Sequence, residues 1–398
     1  MLQLQFVNFK KDSYILVEGK AENDRFLIIQ AGRVRCFKSN DPKGASVKML
    51  GPGDFVGVIP CMSGHSQIEN AIALEDTRCI SVRKDQYPEL IEKNTPIALK
   101  IIKTFANRMR TMNELLTQPV IKTNSTETPE HIFDVARYYD KLEKHSIALY
   151  AYYHYMKECR EGEHLEDVKT RFKLLSTMSN FRKFEPEQGS TRSYEKGEMI
   201  FSESQTGADM FVIQEGEVAI TKVASGNEVI LAMLKRGDMF GEMALLENKP
   251  RSASAIAHSP CRLMVINRNN FDQMVTTQPQ LIARLTTTFA ERLWTSYRQQ
   301  DNSNITNPVH KMIDMLALQA EKAKKFSGNY QTELTLTDLA NMCGIPLKLH
   351  SMTFVQFENE KSARLTGDKI YVPDCVELLK QAAFYRKVST AGEKNSYL

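Results

Sequence analysis

Phe240-Gly241-Glu242-Met243-Ala244-Leu245-Leu246-Glu247-Asn248-Lys249-Pro250-Arg251-Ser252-Ala253-Ser254 sets one carboxylate, one guanidinium and several small residues at fixed spacing. Gly241 follows an apolar strand end and can adopt backbone angles closed to other residues, so the chain can turn sharply and lay its amides against a ligand. Glu242 to Leu246 then reads as one or two helical turns, whose first N–H groups lack internal partners and suit an anion. Arg251 lies nine residues past Glu242, just after Pro250, and its planar fork can grip two phosphate oxygens. Glu242 would repel that phosphate, so it makes sense only as an acceptor for a neighbouring hydroxyl such as a ribose 2′-OH. The two charges together describe a sugar phosphate.

Sliding the sequence against itself by 184 residues aligns about a hundred residues without a gap. Phe26-Leu27-Ile28-Ile29-Gln30-Ala31-Gly32 falls over Met210-Phe211-Val212-Ile213-Gln214-Glu215-Gly216. Gly53-Asp54 falls over Gly237-Asp238, Gly57 over Gly241, and Phe105-Ala106-Asn107-Arg108 over Phe289-Ala290-Glu291-Arg292. Each copy alternates short apolar strands with Gly and Asp turns and ends in a helix, which predicts a small β-barrel or jelly roll capped by helices. The copies part at the charges. Val58 stands in the place of Glu242, Gln67 in that of Arg251, Pro60 in that of Ala244 and Ser66 in that of Pro250. A buried ligand group left without a partner costs about 1–3 kcal/mol, so the first copy is expected not to bind the ligand of the second.

The 398 residues leave room for two or three domains, and a net charge of +4 neither demands nor excludes nucleic acid. Seven dispersed cysteines with no C-x-x-C pair suit reduced thiols and imply no disulfide frame. No metal-ligand spacing is found, and His145, His154 and His164 share none. No secretory leader or long apolar run is seen, so a soluble, cytoplasmic protein is expected. Between the copies, Thr117 to Thr128 reads as a polar linker. Ile132, Val135, Ala136, Tyr139 and Leu142, then Ile147, Leu149, Tyr150 and Tyr153, fall at helical spacing and predict a helix pair. That pair weakly resembles a single tetratricopeptide-type hairpin. Its tyrosines are expected to pack between the helices.

The quoted stretch closely resembles the phosphate-binding cassette of cyclic-nucleotide-binding domains, whose pattern is Phe-Gly-Glu-x-Ala-Leu, four spacers, then Pro-Arg-x-Ala. The resemblance implies that Gly241, Glu242, Met243 and Ala244 offer amides to the cyclic phosphate. It further implies that Glu242 takes the ribose hydroxyl, that Arg251 pairs with the phosphate, and that Ser252 lies near the phosphate or the purine; Leu231 is counted with this set. Cyclic AMP is the preferred ligand, with cyclic GMP compatible with Ser252.

After the second copy, Gln280 to Gln300 reads as one long helix, followed by a helix from Val309, a Gly turn at Gly344, a second helix from about Leu347, and a hairpin-like wing over Ala363 to Val372. This order resembles the catabolite-activator (Crp/Fnr) family of transcription regulators over about Phe184 to Tyr371. The resemblance implies a homodimer through Gln280 to Gln300, base contact by Thr295 or Ser296, and DNA contact by a winged helix-turn-helix. The candidate DNA-contacting residues are Lys348, His350, Ser351 and Thr353. Here the chain departs from its relatives, because Leu347 and Met352 occupy places where base-reading side chains are expected.

The expected fold is α+β and multidomain: a degenerate cyclic-nucleotide-binding-like domain (1–120), a helical linker domain (121–183), a cyclic-nucleotide-binding domain with its long helix (184–300) and a winged helix-turn-helix-like domain (301–398). The expected function is cyclic-nucleotide sensing by a transcription regulator, or else a ligand-controlled protein-interaction switch. No nucleophile motif points to an enzyme.

Overall fold

The computed structural model describes residues 4–39, 47–117, 128–179, 181, 184–185, 189–224, 227–332 and 334–394. Most of the expected polar linker, 118 to 127, lies outside the described residues. The first repeat runs β1 (Gln5–Phe9), β2 (Tyr14–Leu16), β3 (Arg25–Ala31), β4 (Val34–Phe37), β5 (Lys48–Leu50), β6 (Phe55–Val56), α1 (Val58–Ser63), β7 (Asn70–Ala73), β8 (Thr77–Arg83), α2 (Tyr87–Lys93) and the long α3 (Thr95–Thr117). Three helices follow: α4 (His131–Lys141), α5 (His145–Glu158) and α6 (Leu165–Met178). The second repeat runs β9 (Thr191–Tyr194), β10 (Met199–Phe201), β11 (Met210–Glu215), β12 (Val218–Ala224), β13 (Asn227–Leu234), β14 (Met239–Phe240), α7 (Glu242–Glu247), β15 (Ser254–Ala257), β16 (Cys261–Ile266), α8 (Arg268–Thr277) and the long α9 (Pro279–Ser303).

Each repeat folds into two four-stranded antiparallel sheets with one topology, β1-β8-β3-β6 and β2-β7-β4-β5 in the first, β9-β16-β11-β14 and β10-β15-β12-β13 in the second. The register is also repeated. Ile28 faces Ile80 and Val212 faces Met264, and both copies carry an irregularity at the same place, between Ile29 and Ala31 and between Ile213 and Glu215. The strands form because apolar side chains alternate with polar ones, so one face fills the barrel; β16 buries Cys261, Leu263 and Val265 and turns Arg262 outward.

The two long helices pack against each other within the chain. Ile101, Ile102, Phe105 and Met109 of α3 share one apolar core with Ile282, Leu285, Phe289 and Leu293 of α9. These residues recur every three or four positions, which puts them on one stripe of each helix. The apolar stripe through which a homodimer over Gln280 to Gln300 was expected is covered within the chain by α3. The exposed described residues of that span, Gln280, Arg284 and Glu291, are polar.

The intervening segment holds three helices rather than the expected pair. The third, α6, buries Val168 and Leu175 and packs on α5. Tyr139, Tyr150, Tyr152 and Tyr155 lie in the core of this segment, as expected of packing residues, whereas Leu142 caps the end of α4 and is exposed. Beyond α9 come α10 (Pro308–Lys322), β17 (Tyr330–Gln331), α11 (Leu336–Met342), α12 (His350–Glu358), β18 (Arg364–Thr366), β19 (Lys369–Val372) and α13 (Cys375–Lys394). Asn307 caps α10 by accepting from the amides of Val309 and His310, and Thr335 with Asp338 forms a capping box on α11. The three strands make one antiparallel sheet in the order β17-β19-β18. This terminal head is tied to α9 through buried Asp314, which accepts from Arg298 at 3.3 Å, from Asn302 at 3.0 Å and from Arg386 of α13. No described helix is long and apolar enough to cross a membrane, and all seven cysteines are buried free thiols.

Candidate functional site

Gly241 sits between β14 and α7 with φ 79°, in the left-handed region that its missing Cβ permits. A Cβ there would lie 2.8 Å from Arg251 Nη1 and 3.1 Å from the Asp209 carbonyl oxygen. The turn therefore needs glycine for space as well as for angle. It delivers Glu242 into the interior, 2 % exposed, where Oε1 accepts from Arg292 Nη1 of α9 at 3.1 Å. The same Arg292 nitrogen also donates to the Met239 carbonyl at 2.9 Å. The other carboxylate oxygen of Glu242, Oε2, is buried with no partner.

Arg251 is 5 % exposed. Its Nη1 donates to the Gly241 carbonyl at 2.7 Å, its guanidinium lies 4.2 Å from the Phe201 ring centroid, and its Nε is buried without a partner. Burial pulls the guanidinium down to about 10, with Asp209 opposing. An unpartnered acceptor and an unpartnered donor thus lie buried in one cassette, and each such group costs about 1–3 kcal/mol until something meets it. Ser252 lies beside them with its hydroxyl 3.5 Å from Met243 Sδ, and Ala244 is buried in α7. Leu231 is half-buried and packs against the core of this barrel. The loop before β11 completes the rim: Ser204 donates its amide to the Arg251 carbonyl at 2.8 Å, and Arg251 donates its own to Gln205 at 2.9 Å. Glu158 of α5 holds this loop from outside by accepting from the Thr206 amide at 2.9 Å.

The structure brings Gly241, Glu242, Met243, Ala244, Arg251 and Ser252 together. Ser296 lies elsewhere, buried in the helix seam 3.9 Å from Met109 Sδ of α3, and its neighbours Trp294 and Tyr297 reach the first barrel, while Thr295 is half-buried on the same helix. Sequence reading missed two participants. Arg292 carries a signal, since it aligns with Arg108 across the repeat; Phe201, beneath the guanidinium, carries none.

The first cassette keeps the frame and changes its contents. Gly57 takes φ 77° before α1, Val58 is buried where Glu242 stands, and Gln67 donates to the Glu22 carbonyl. The cavity bounded by Gly57, Val58, Gln67, Glu69 and Arg108 measures about 20 Å³, room for about one water. Glu69, at the position of Ala253, pairs with Lys48 at 3.4 Å and Arg108 at 3.6 Å. Burial opposes its charge, yet these cations hold its carboxyl below the usual range.

Two of the residues expected to touch DNA are corrected. His350 is buried with Nε2 2.9 Å from the Ile345 carbonyl, and Thr353 is buried and donates to the Leu349 carbonyl at 2.8 Å. Both serve the turn before α12 and cannot reach outward. Lys348 and Ser351 are exposed, as are Met352 and Val355 at 57 % and 64 %. Among the described residues no group of three His, Cys, Asp or Glu side chains could hold a metal ion.

The sequence profile of the cyclic nucleotide-binding domain matches residues 6–94 and 191–278. Among curated relatives, a cAMP-dependent protein kinase regulatory subunit of Mycosarcoma maydis is 42 % identical over 66 residues, 17 % of this chain and 13 % of that protein. A CRP-like cAMP-activated global transcriptional regulator of Mycobacterium tuberculosis is 23 % identical over 200 residues, 48 % of this chain and 86 % of that protein. Among solved structures, a CooA mutant from Carboxydothermus hydrogenoformans is 15 % identical with a TM-score of 0.41, covering 49 % of this chain and 87 % of that one. The chain thus carries two cyclic-nucleotide-binding domains, and Crp-like transcription regulators stand among its relatives.

Proposed function

We propose that this chain is a cyclic-nucleotide sensor with a single working pocket, at the second cassette, and that its ligand is cyclic AMP. The observation that carries this reading is the pair of buried, unpartnered atoms, Glu242 Oε2 and Arg251 Nε. A ribose hydroxyl can donate to the first, and a cyclic phosphate can accept from the guanidinium that holds the second. The names of the cAMP-responsive relatives agree with this ligand. The first cassette is degenerate: Val58 and Gln67 leave ribose and phosphate without their charged partners, and the Glu69 carboxylate would repel the phosphate. Calorimetry with cyclic AMP and cyclic GMP tests the reading. One site per chain is expected, and Arg251→Ala should weaken it by about 10- to 100-fold, the loss of hydrogen bonds to a charged group. Binding that survives this substitution unchanged would sink it.

The output is assigned to the terminal head, residues 301–398, which we read as a winged helix-turn-helix of a Crp/Fnr-type transcription regulator. Ligand acts by binding two arrangements of α9 and the head with different affinity. A second reading, a head that meets a protein, is favoured by the exposed Met352 and Val355 on α12 and by the inward turn of His350 and Thr353. Retention of the ligand-bound protein on DNA at low salt, falling steeply as salt rises, supports the first reading. No retention at low salt supports the second.

A further inference from the structure

We propose that Lys222 of β12 is a ligand-binding residue inside the second barrel, that its ammonium takes the N7 and O6 acceptors of a guanine, and that the site therefore accepts cyclic GMP beside cyclic AMP. This rests on the reading of the second cassette as the ligand site. Lys222 is 4 % exposed. Its neighbours on the strand fix where it points. Thr221 meets the Tyr139 hydroxyl of α4 and Val223 packs in the core of the helical segment, whereas Val218 and Ile220 pack in the core of the barrel. Successive side chains of a strand alternate in face, so Lys222 lies inside the barrel with Val218 and Ile220. Thr221 stands opposite Ser254 of β15, which puts Lys222 level with Ala253, two residues past Arg251. Its ammonium has no hydrogen-bond or ion-pair partner among the described residues.

The repeat shows what such a lysine needs. Its counterpart at a shift of 184 is Lys38, and there the charge is answered within the chain. Lys38 pairs with Asp301 of α9 at 2.6 Å, lies 5.3 Å from the Tyr297 ring centroid, and adds its charge to those of Arg108 and Lys48 around the Glu69 carboxylate. Trp294, 1 % exposed and stacked on His65 with ring centroids 3.8 Å apart, fills the cover of the same cassette. The second barrel has the lysine and lacks the acids: Thr117 stands at the place of Asp301, and Ala253 at that of Glu69. An ammonium withdrawn from water without a partner is costly, and the cost falls when an acceptor is brought to it. Lys222 thus joins Glu242 Oε2 and Arg251 Nε as a third unmet group of this barrel. Those two answer ribose and phosphate, which leaves the base for Lys222. An ammonium has three donors and no acceptor. Guanine presents two acceptors side by side, N7 and O6, whereas adenine sets the N6 donor beside its N7. The lysine therefore meets guanine at both atoms and adenine at one.

The test is calorimetry of the full-length protein, as wild type, Lys222→Met and Lys222→Gln, with thermal unfolding of each ligand-free protein as the check on folding. The probes are cyclic AMP, cyclic GMP and cyclic IMP, whose hypoxanthine shows the same N7 and O6 without the 2-amino group of guanine. Lys222→Met should weaken cyclic GMP and cyclic IMP about tenfold or more, the loss of hydrogen bonds from a charged group, and leave cyclic AMP within about threefold. Lys222→Gln, which still carries a donor, should lose less. The ligand-free Lys222→Met should melt no lower than the wild type, because an apolar side chain of similar length replaces an unpaired charge. If Lys222→Met does not fold, Lys222→Gln carries the test. Equal losses for all three nucleotides, or none, would overturn the role of Lys222 while leaving the cassette reading intact. So would a wild type that binds cyclic AMP alone, or one that binds cyclic GMP but not cyclic IMP. Failure of the wild type to bind any of the three would overturn both.

Discussion

The two barrels share strand order, register, and a left-handed glycine at φ 77° and 79°, yet only the second has a glutamate after that glycine and an arginine nine residues on. The difference separates what the fold requires from what a ligand requires. Glycine at 57 and 241 is a demand of the turn, present in both. Glu242 and Arg251 are not, because Val58 and Gln67 satisfy the same backbone. Where the second barrel leaves buried groups unmet, the first has answered its own: Arg108, the counterpart of Arg292, turns from a missing glutamate to Glu69.

The largest way to break the comparison is at the seam that joins the barrels. Trp294→Ala removes a buried indole that fills the first cassette's cover, and about 3–5 kcal/mol of stability should go with it; urea unfolding measures the loss. A value under 1 kcal/mol would show that the seam is loosely packed.

A gain of binding sharpens the comparison next. Val58→Glu with Gln67→Arg should leave the first barrel unable to bind, because the Glu69 carboxylate still fills the space. Adding Glu69→Ala, to match Ala253, should give a second and weaker site by calorimetry. Binding by the double variant alone would show that Glu69 is irrelevant.

The smallest effect concerns the helical segment clamped to the second barrel. His131 of α4 lies between Asp134 at 3.3 Å and Glu203 at 3.4 Å. Burial would lower its pKa, but these carboxylates raise it to about 10. A raised folded pKa gives stability that is complete below the unfolded value of about 6.5 and is lost as pH rises towards 10. The melting temperature of the wild type should therefore decline between pH 7 and 10 more than that of His131→Gln. Parallel curves would remove His131 from the account.

Much of this was legible in the residues. The cassette and its twin could be read because glycines, prolines and charges sit at fixed spacing, and an ungapped shift of 184 carries the strands across with them. The stripe of α9 was legible too, but a stripe says only that a face is covered, not by what. Its cover, α3, was visible as the same kind of stripe in the first copy, and nothing local distinguishes pairing within a chain from pairing between chains. The third linker helix had its signal in Val168, Phe172 and Leu175. His350 and Thr353 misled because polar side chains near a helical turn can be spent on backbone carbonyls instead of facing outward.

The internal pairing of α3 with α9 also fixes how the molecule can respond in solution. Two separate subunits meet at a rate and extent set by how much protein is present, whereas halves on one chain meet at an effective concentration set by their tether. The ligand response of this protein is therefore expected to be the same whether the chain is scarce or abundant.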